Sequence, residues 1–266
     1  LFLAKIAVFS DVHGNLEALN AFYADAKANQ ASDYWFLGDL FGPGPDVALL
    51  WDKLAEIAPS IKVRGNWEDL LINYLKHDLT KVPESIRPIE EYISRRLNDP
   101  GRIVENIDKW PLHQEIVING VKIGLSHHLP TDNGGDQLSI RAAGRQLAAL
   151  FKADRRDLDL AIYAHIHHPT MRYLDLSCLE AETADYDYAK ADERLVLNDG
   201  SVGLPFDKPA QNRLEKRAEY LLLKISHSGD VDPQFRRVDY DFKPELLRAN
   251  KENLPFKEDY CKSFEL

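Results

Sequence analysis

Apolar and polar residues change rhythm several times along the chain, and each change marks an element. "AKIAVFSD", residues 4–11, is a β-branched and aromatic run that stops at Asp11, and "GNLEALNAFYADAKAN" after it repeats apolar residues at helical spacing. A strand feeding a helix is predicted. The pattern recurs: "SDYWFLGD" predicts a strand ending at Asp39, "DVALLWDKLAEI" a helix, and "SIKVRGN" a strand ending at Asn66. Strands alternating with helices predict a parallel α/β layer. From "EDLLINYLKHDL" to Trp110, three helix-like stretches broken at Pro83, Pro88 and "DPG" predict a helical cap inserted at about residues 68–110.

"HQEIVINGVKIGLSHH", residues 113–128, alternates on both sides of Asn119-Gly120, the dipeptide that supplies both positive-φ positions of a type I′ hairpin. A helix is predicted over "DQLSIRAAGRQLAALFK", residues 136–152, followed by a strand over "LDLAIYAHIHH". Further strands are predicted in "MRYLDLSCL", "RLVLNDG" and "EYLLLKIS", with a second hairpin at Ser228-Gly229-Asp230. The stretch from Pro244 has mixed helical character and carries no functional assignment. No internal repeat, low-complexity tract or linker divides the 266 residues, so one domain spanning 1–266 is expected.

Composition narrows the class. Hydrophobic residues make up 44%, ample for a buried core. Cys178 and Cys261 are the two cysteines and have no neighbouring thiol, which argues against a disulfide framework or a cysteine-based zinc site and fits a reducing cytoplasm. "LFLAKIAVFSD" is too short for a membrane span and lacks the features of a signal peptide, so no membrane partner is expected. A net charge of −10 repels a polyanion at long range, which disfavours extended nucleic acid. A small phosphorylated substrate is not disfavoured, because bound cations reverse the field locally.

The candidate chemistry centres on "YAHIHHP", residues 163–169. On an extended strand His165 and His167 would share one face and His168 the other, and two imidazoles side by side invite a metal. Asp11, His13, Asp39, Asn66, His127, His165 and His167 all fall where a predicted strand opens into a loop, the edge at which α/β sheets build sites. Carboxylate, imidazole and amide groups without thiolate suit two divalent ions of borderline to hard character. Gly14, Gly38 and Gly65 beside them leave room for a ligand to approach.

In order, "DVHGN", "GD", "GN", "SHH" and "HIH" resemble the D-x-H, G-D, G-N, H and G-H-x-H motifs of the calcineurin-like metallophosphoesterases. "GDLFGPGPD" and "NDGSVGLPFD" resemble segments of a bacterial branch of small phosphoesterases. The resemblance implies an α/β (α+β) fold, a four-layer αββα sandwich of two mixed sheets flanked by helices. It further implies that Asp11, His13 and His167 hold one metal, that Asn66, His127 and His165 hold the second, and that Asp39 bridges both. Manganese or iron is favoured, with zinc also suited to the ligands. Two dications about 3.5 to 4 Å apart need shared negative charge between them and activate a water for attack on phosphorus. A cytoplasmic phosphoesterase acting on a small soluble phosphate ester is expected, a diester in preference to a monoester. The alternatives are a non-catalytic scaffold with the same fold, or a nuclease of the superfamily, which should show a basic groove.

The sequence departs from the motifs in several places. Ala164 stands where glycine is usual before the paired histidines, and Asp199 replaces a proline. His128 replaces the usual glycine after His127 and could assist the reaction; Asp39, Asn66, His127 and His128 are therefore the catalytic candidates. Trp67 follows Asn66, where the superfamily's protein phosphatases carry a histidine that protonates the leaving group, which leaves the general acid unassigned. Asn15 either hydrogen-bonds substrate phosphate or caps the following helix. Arg64 either contacts an anion or is a strand-end surface charge. Asn198 and Ser201 are expected to shape a supporting loop. The cap could close the site or form a dimer surface, so an oligomer is possible.

Overall fold

The computed structural model describes residues 3–151, 157–177, 179, 188–205 and 216–264. Cys178 lies outside them, while Cys261 is half-buried on the last helix.

The first half of the chain lays down strands β1 (Ala4–Phe9), β2 (Asp33–Phe36) and β3 (Ile61–Lys62), joined by helices α1 (Leu16–Ala28) and α2 (Ala48–Ile57). These strands are parallel, in register Val8 opposite Trp35 and Trp35 opposite Ile61. Three helices follow: α3 (Asn66–Leu75), α4 (Arg87–Arg96) and α5 (Pro100–Ile107). The hairpin of β4 (His113–Ile118) and β5 (Val121–Ser126) turns at Asn119 and Gly120, with φ of 51° and 87°, as a type I′ turn requires. Beyond it come α6 (Gly144–Leu147), β6 (Leu160–Tyr163), β7 (Thr170–Asp175), β8 (Glu193–Asn198), β9 (Arg217–Ile225), β10 (Val231–Asp239), α7 (Lys243–Lys251) and α8 (Lys257–Lys262).

The strands form two mixed five-stranded sheets, ordered β10-β9-β1-β2-β3 and β4-β5-β6-β8-β7. Ile6, Val8, Trp35 and Leu37 of the first sheet meet Ile123, Leu125, Ile162 and Leu197 of the second in a core between the sheets. The alternate residues Ala7, Phe9 and Phe36 face the helices on the outer side of the first sheet. Strands buried on both faces read as continuous apolar runs, which is why β1, β6 and β9 stood out. Leu71, Ile72, Ile93, Ile103, Ile107 and Trp110, from α3 to α5 and the turn after them, join that outer core. Tyr163, Leu174 and Val196 pack beneath Leu138, Leu147 and Phe151 on the far side of the second sheet. The layers are therefore helix, sheet, sheet and helix, the expected αββα sandwich.

Two expectations need correction. The helix predicted over 136–152 is confined to Gly144–Leu147 and a 3-10 turn at Ala148–Phe151. Leu138 and Ala142 are buried as the apolar spacing implied, but the backbone before them is drawn toward the site histidines. The Gly135 carbonyl accepts from His165 and the Leu138 N–H donates to His128 Nε2. Second, β6 ends at Tyr163, so His165 and His167 do not share a strand face. Both have left-handed backbone, with φ of 68° and 53°, and their rings go to different halves of the site.

Candidate metal centre

Every residue of the predicted cluster sits just past a strand whose end faces the seam between the sheets. Asp11 and His13 follow β1, Asp39 follows β2, Asn66 follows β3, His127 follows β5, and His165 and His167 follow β6. The turns that aim them are tight: Asp11, His13, Asp39, His165 and His167 all have positive φ, between 51° and 68°. Left-handed backbone costs roughly 1–2 kcal/mol for a residue with a Cβ, and concentrated strain of this kind accompanies functional sites. Gly65 is required for a different reason, since a Cβ there would collide with the Asp39 carboxylate.

Two groups of possible ligands result, Asp11 with His13 and His167, and Asp39 with His127 and His165, with the ligand atoms of each within 4.8 Å of one another. Asn66 joins the second group, its Oδ1 2.9 Å from His165 Nδ1 and 3.1 Å from His127 Nε2. Asp39 Oδ2 lies between the groups, 3.3 Å from His127 Nε2 and 3.9 Å from His13 Nε2. Asp39 Oδ1 is engaged elsewhere, accepting the Trp67 N–H at 2.9 Å.

Each imidazole is oriented by a backbone carbonyl. His13, His127 and His167 donate from Nδ1 to the carbonyls of Gly42, Leu37 and Leu204 at 2.6 to 2.7 Å. His165 is reversed, with Nε2 donating to Gly135 at 2.9 Å. A carbonyl can only accept, so the proton of each neutral ring sits on its outer nitrogen and the lone pair of the other faces the cluster. Those lone pairs crowd: His13 and His167 bring Nε2 atoms to 3.0 Å, and His165 Nδ1 lies 3.3 Å from His127 Nε2. Facing acceptors at such distances repel unless a proton or a cation lies among them.

Asp11 is fully buried, and its Oδ2 accepts from Ser10 Oγ at 2.6 Å and from the His165 N–H at 3.1 Å. Its Oδ1, facing His167 at 3.1 Å, has no hydrogen-bond partner. Burial opposes ionisation of Asp11, but His167 and His127 more than offset it and hold the carboxyl well below its usual range. Burial likewise opposes charge on His127, yet Asp39 and Asp11 raise it to about 10. The cluster thus holds cationic charge tightly. An orphaned buried carboxylate oxygen and imidazole lone pairs aimed at common points fit divalent ions, which compete with protons for the same atoms.

The other sequence-predicted residues divide. Asn15 is buried and caps α1, with Oδ1 accepting from Ala18 N and Nδ2 donating to the Gly203 carbonyl and the Tyr240 hydroxyl. Its polar atoms are committed to structure, which corrects the substrate-contact reading in favour of the cap. Arg64 is held 2.6 Å from Asp69 and donates to the Asp108 carbonyl at 3.0 Å. The paired surface charge describes it. His128 lies outside both ligand groups, its ring 4.6 Å from that of His165 and its Nε2 3.2 Å from Gln137 Oε1. Burial lowers it to about 4, so it is neutral at physiological pH. Asn198 donates to the Ala164 carbonyl and Ser201 to the Asp11 carbonyl, tying the loop after β8 to both groups. Asp199 Oδ1 lies 3.1 Å from Ser10 Oγ, and burial followed by the charge of Asp11 pushes its carboxyl well above the usual range.

Sequence reasoning missed Glu68 and Asn133. Glu68 is buried, with Oε2 accepting from the N–H groups of Asp39 and Gly65 at 2.7 and 2.8 Å, and Oε1 from Leu40 at 2.8 Å. It holds the turn that presents Asp39. The signal was available, because a Glu three residues after a helix-starting Gly65 is the reaching half of a capping box. Asn133 donates to the Gly65 carbonyl and to Asp69 at 2.8 Å. Nothing local in the sequence marks that contact.

An αββα sandwich with a dinuclear-type ligand cluster where its two sheet edges meet is the layout of a metallophosphoesterase. The model described as the calcineurin-like phosphoesterase superfamily domain matches residues 4–228, and the chain belongs to that superfamily. An uncharacterised protein of Methanocaldococcus jannaschii is 26% identical over 258 residues, 95% of this chain and 94% of the other. The same fold occurs in the crystal structure of a metallophosphoesterase from Sphaerobacter thermophilus, 22% identical over 98% of each chain with a TM-score of 0.69. It also occurs in a hypothetical protein from Pyrococcus horikoshii, 18% identical over 95% of each chain with a TM-score of 0.71. Among the described residues no helix is long and apolar enough to cross a membrane.

Proposed function

We propose that the protein is a dinuclear metal-dependent phosphoesterase acting on a small soluble phosphate ester in the cytoplasm, a diester in preference to a monoester. One observation carries the reading: two groups of ligand atoms, each drawn from both sheets, converge with Asp39 Oδ2 between them and the buried Asp11 Oδ1 left unpartnered. Asp11, His13 and His167 would hold one ion, Asn66, His127 and His165 the other, with Asp39 shared. Two divalent ions, when bound, supply an activated water and neutralise charge at phosphorus.

The chain's own contribution is orientation. Four backbone carbonyls fix the imidazole tautomers, and Glu68 with the Trp67 N–H fixes the Asp39 carboxylate so that a single oxygen faces both groups. Preset ligands avoid reorganisation when charge develops in the transition state. The net charge of −10 supports a small substrate over a polyanion, and the nitrogen and carboxylate ligands support manganese or iron over a thiolate-bound metal. Preference for a diester rests on the motif resemblance to small phosphoesterases.

The test is hydrolysis of bis-p-nitrophenyl phosphate and p-nitrophenyl phosphate by metal-stripped protein with added manganese, zinc or iron. Turnover that depends on metal, faster on the diester and lost in Asp39→Asn, is expected. Metal-loaded protein that hydrolyses neither ester nor a panel of natural phosphoesters would overturn the catalytic reading.

A further inference from the structure

The helices that end the chain, α7 and α8, lie beyond the residues 4–228 that match the superfamily, yet their side chains reach a loop of the metal centre. That loop is Gly42–Asp46. The Gly42 carbonyl accepts from His13 Nδ1 at 2.6 Å and so fixes the tautomer and direction of the ring. The Gly44 N–H donates to the His13 carbonyl and the Asp46 N–H to the Gly14 carbonyl, each at 3.0 Å. Asp46 Oδ2 accepts from the Leu16 N–H at the start of α1, at 3.1 Å. The His13 turn and the Gly42–Asp46 loop are therefore zipped together.

Arg248 on α7 grips this loop. Its Nη2 donates to Asp46 Oδ2 at 3.0 Å, and its Nε lies 2.8 Å from Oδ1 as an ion-pair contact, so the guanidinium is held against one buried carboxylate. The same guanidinium reaches Glu17 of α1 at 2.8 Å and Glu245 at 3.1 Å. Glu245 is fully buried and accepts the Tyr260 hydroxyl of α8 at 2.7 Å, a hydroxyl packed where only a glycine at 44 leaves room. Tyr92 of α4 closes the other side, its hydroxyl 3.0 Å from the Pro45 carbonyl and 3.1 Å from Glu252, just past α7. A planar guanidinium with several donors meets Asp46, Glu245 and Glu17 at once, which a lysine point charge does not.

The second half of the centre has other supports. His127 is held by Leu37 and His165 by Gly135, while the shared Asp39 is held by Glu68. We infer that Arg248, through Asp46, is a positioning residue for the ion held by Asp11, His13 and His167, and that the C-terminal helices serve that half of the centre selectively. The inference rests on the dinuclear reading above.

Manganese titration of metal-stripped protein by calorimetry tests it, with circular dichroism melting of each variant. Wild-type protein is expected to bind two ions; failure to do so overturns the dinuclear reading itself. With two ions bound, His13→Ala and His165→Ala identify which step belongs to which half. Arg248→Met should weaken the step that His13→Ala removes by about 10- to 100-fold, as loss of an outer support for a metal ligand does, and leave the other within about twofold. Arg248→Lys keeps the charge without the fork, guards against a variant that does not fold, and should weaken the same step by a smaller factor. Arg236→Met removes the Arg236–Asp25 pair at 2.9 Å, which has no link to Gly42–Asp46, and should move neither step. Both ions bound as in wild type by Arg248→Met, or both weakened equally in Arg248→Met and Arg248→Lys, would overturn the inference.

Discussion

The two halves of the metal centre use the same side-chain chemistry and are held in different ways. Around Asp39, His127 and His165 the supports come from the turns after β2 and β3 and from the loop at Gly135. Around Asp11, His13 and His167 they come from segments far apart in sequence: Gly42, the loop after β8 at Ser201 and Leu204, and, through Asp46, α7. One half is braced mainly by residues inside the motif segments, and the other depends on the chain's last helices. Ligand identity therefore says little about how firmly a ligand is placed.

The comparison is broken most severely at the atom the halves share. Asp39→Asn removes the charge between the two groups, and several kcal/mol of electrostatic stabilisation at about 1.4 kcal/mol per tenfold predicts a fall in kcat/KM of at least about 10³-fold. Steady-state kinetics on bis-p-nitrophenyl phosphate reads it. Next comes Glu68→Gln, which presents an amide NH₂ to N–H groups that now meet a carboxylate oxygen. A drop of about 10- to 100-fold in metal affinity is expected in both steps of manganese calorimetry, because Glu68 holds the turn that presents the shared Asp39. A loss confined to the step that His165→Ala identifies would show that Glu68 serves one half alone.

A smaller effect separates the centre from the helices beneath it. Glu90 on α4 is fully buried with both oxygens unpartnered, and burial, followed by the charges of Glu68 and Asp39, raises it to about 8. Tyr74 of α3 also feels its charge. A carboxyl whose folded value exceeds the unfolded one is fully favourable to folding only below about pH 4.5, and that contribution fades as pH rises through 8. Glu90→Met should therefore raise Tm relative to wild type more at pH 8.5 than at pH 5.5 in metal-free protein, as thermal melting will show. A pH-independent difference would mean that Glu90 finds a partner. The smallest expected change is that of Asn15→Ala, which loses the α1 cap and costs about 1–2 kcal/mol in urea unfolding.

How much could be read in advance depended on the range of the interaction. The apolar runs of β1, β6 and β9 and the Asn119-Gly120 turn were legible because burial on both faces and positive φ impose local residue choices. The stretch from Asp136 to Ala143 misled: Leu138 and Ala142 are buried as their spacing implied, but the Leu138 N–H is committed to His128, and the Gly135 carbonyl just before the stretch to His165, instead of a helix. The likeness of His165 and His167 to neighbours on a strand failed for a related reason, since left-handed turns send them to separate groups. Glu68 carried a capping-box signal that went unread, whereas Asn133 and Arg248 carried none.

By itself the sequence determined the layered α/β order and the seven metal-ligand candidates, because strand periodicity and the residues at strand ends are properties of short segments. Tertiary structure alone decided that His165 and His167 leave β6 through left-handed turns, that Asn15 and Arg64 turn to structural partners, and that Arg248 holds a loop some 200 residues upstream. Those outcomes depend on where distant segments meet and on which buried donors and acceptors must be satisfied there, and local sequence encodes neither.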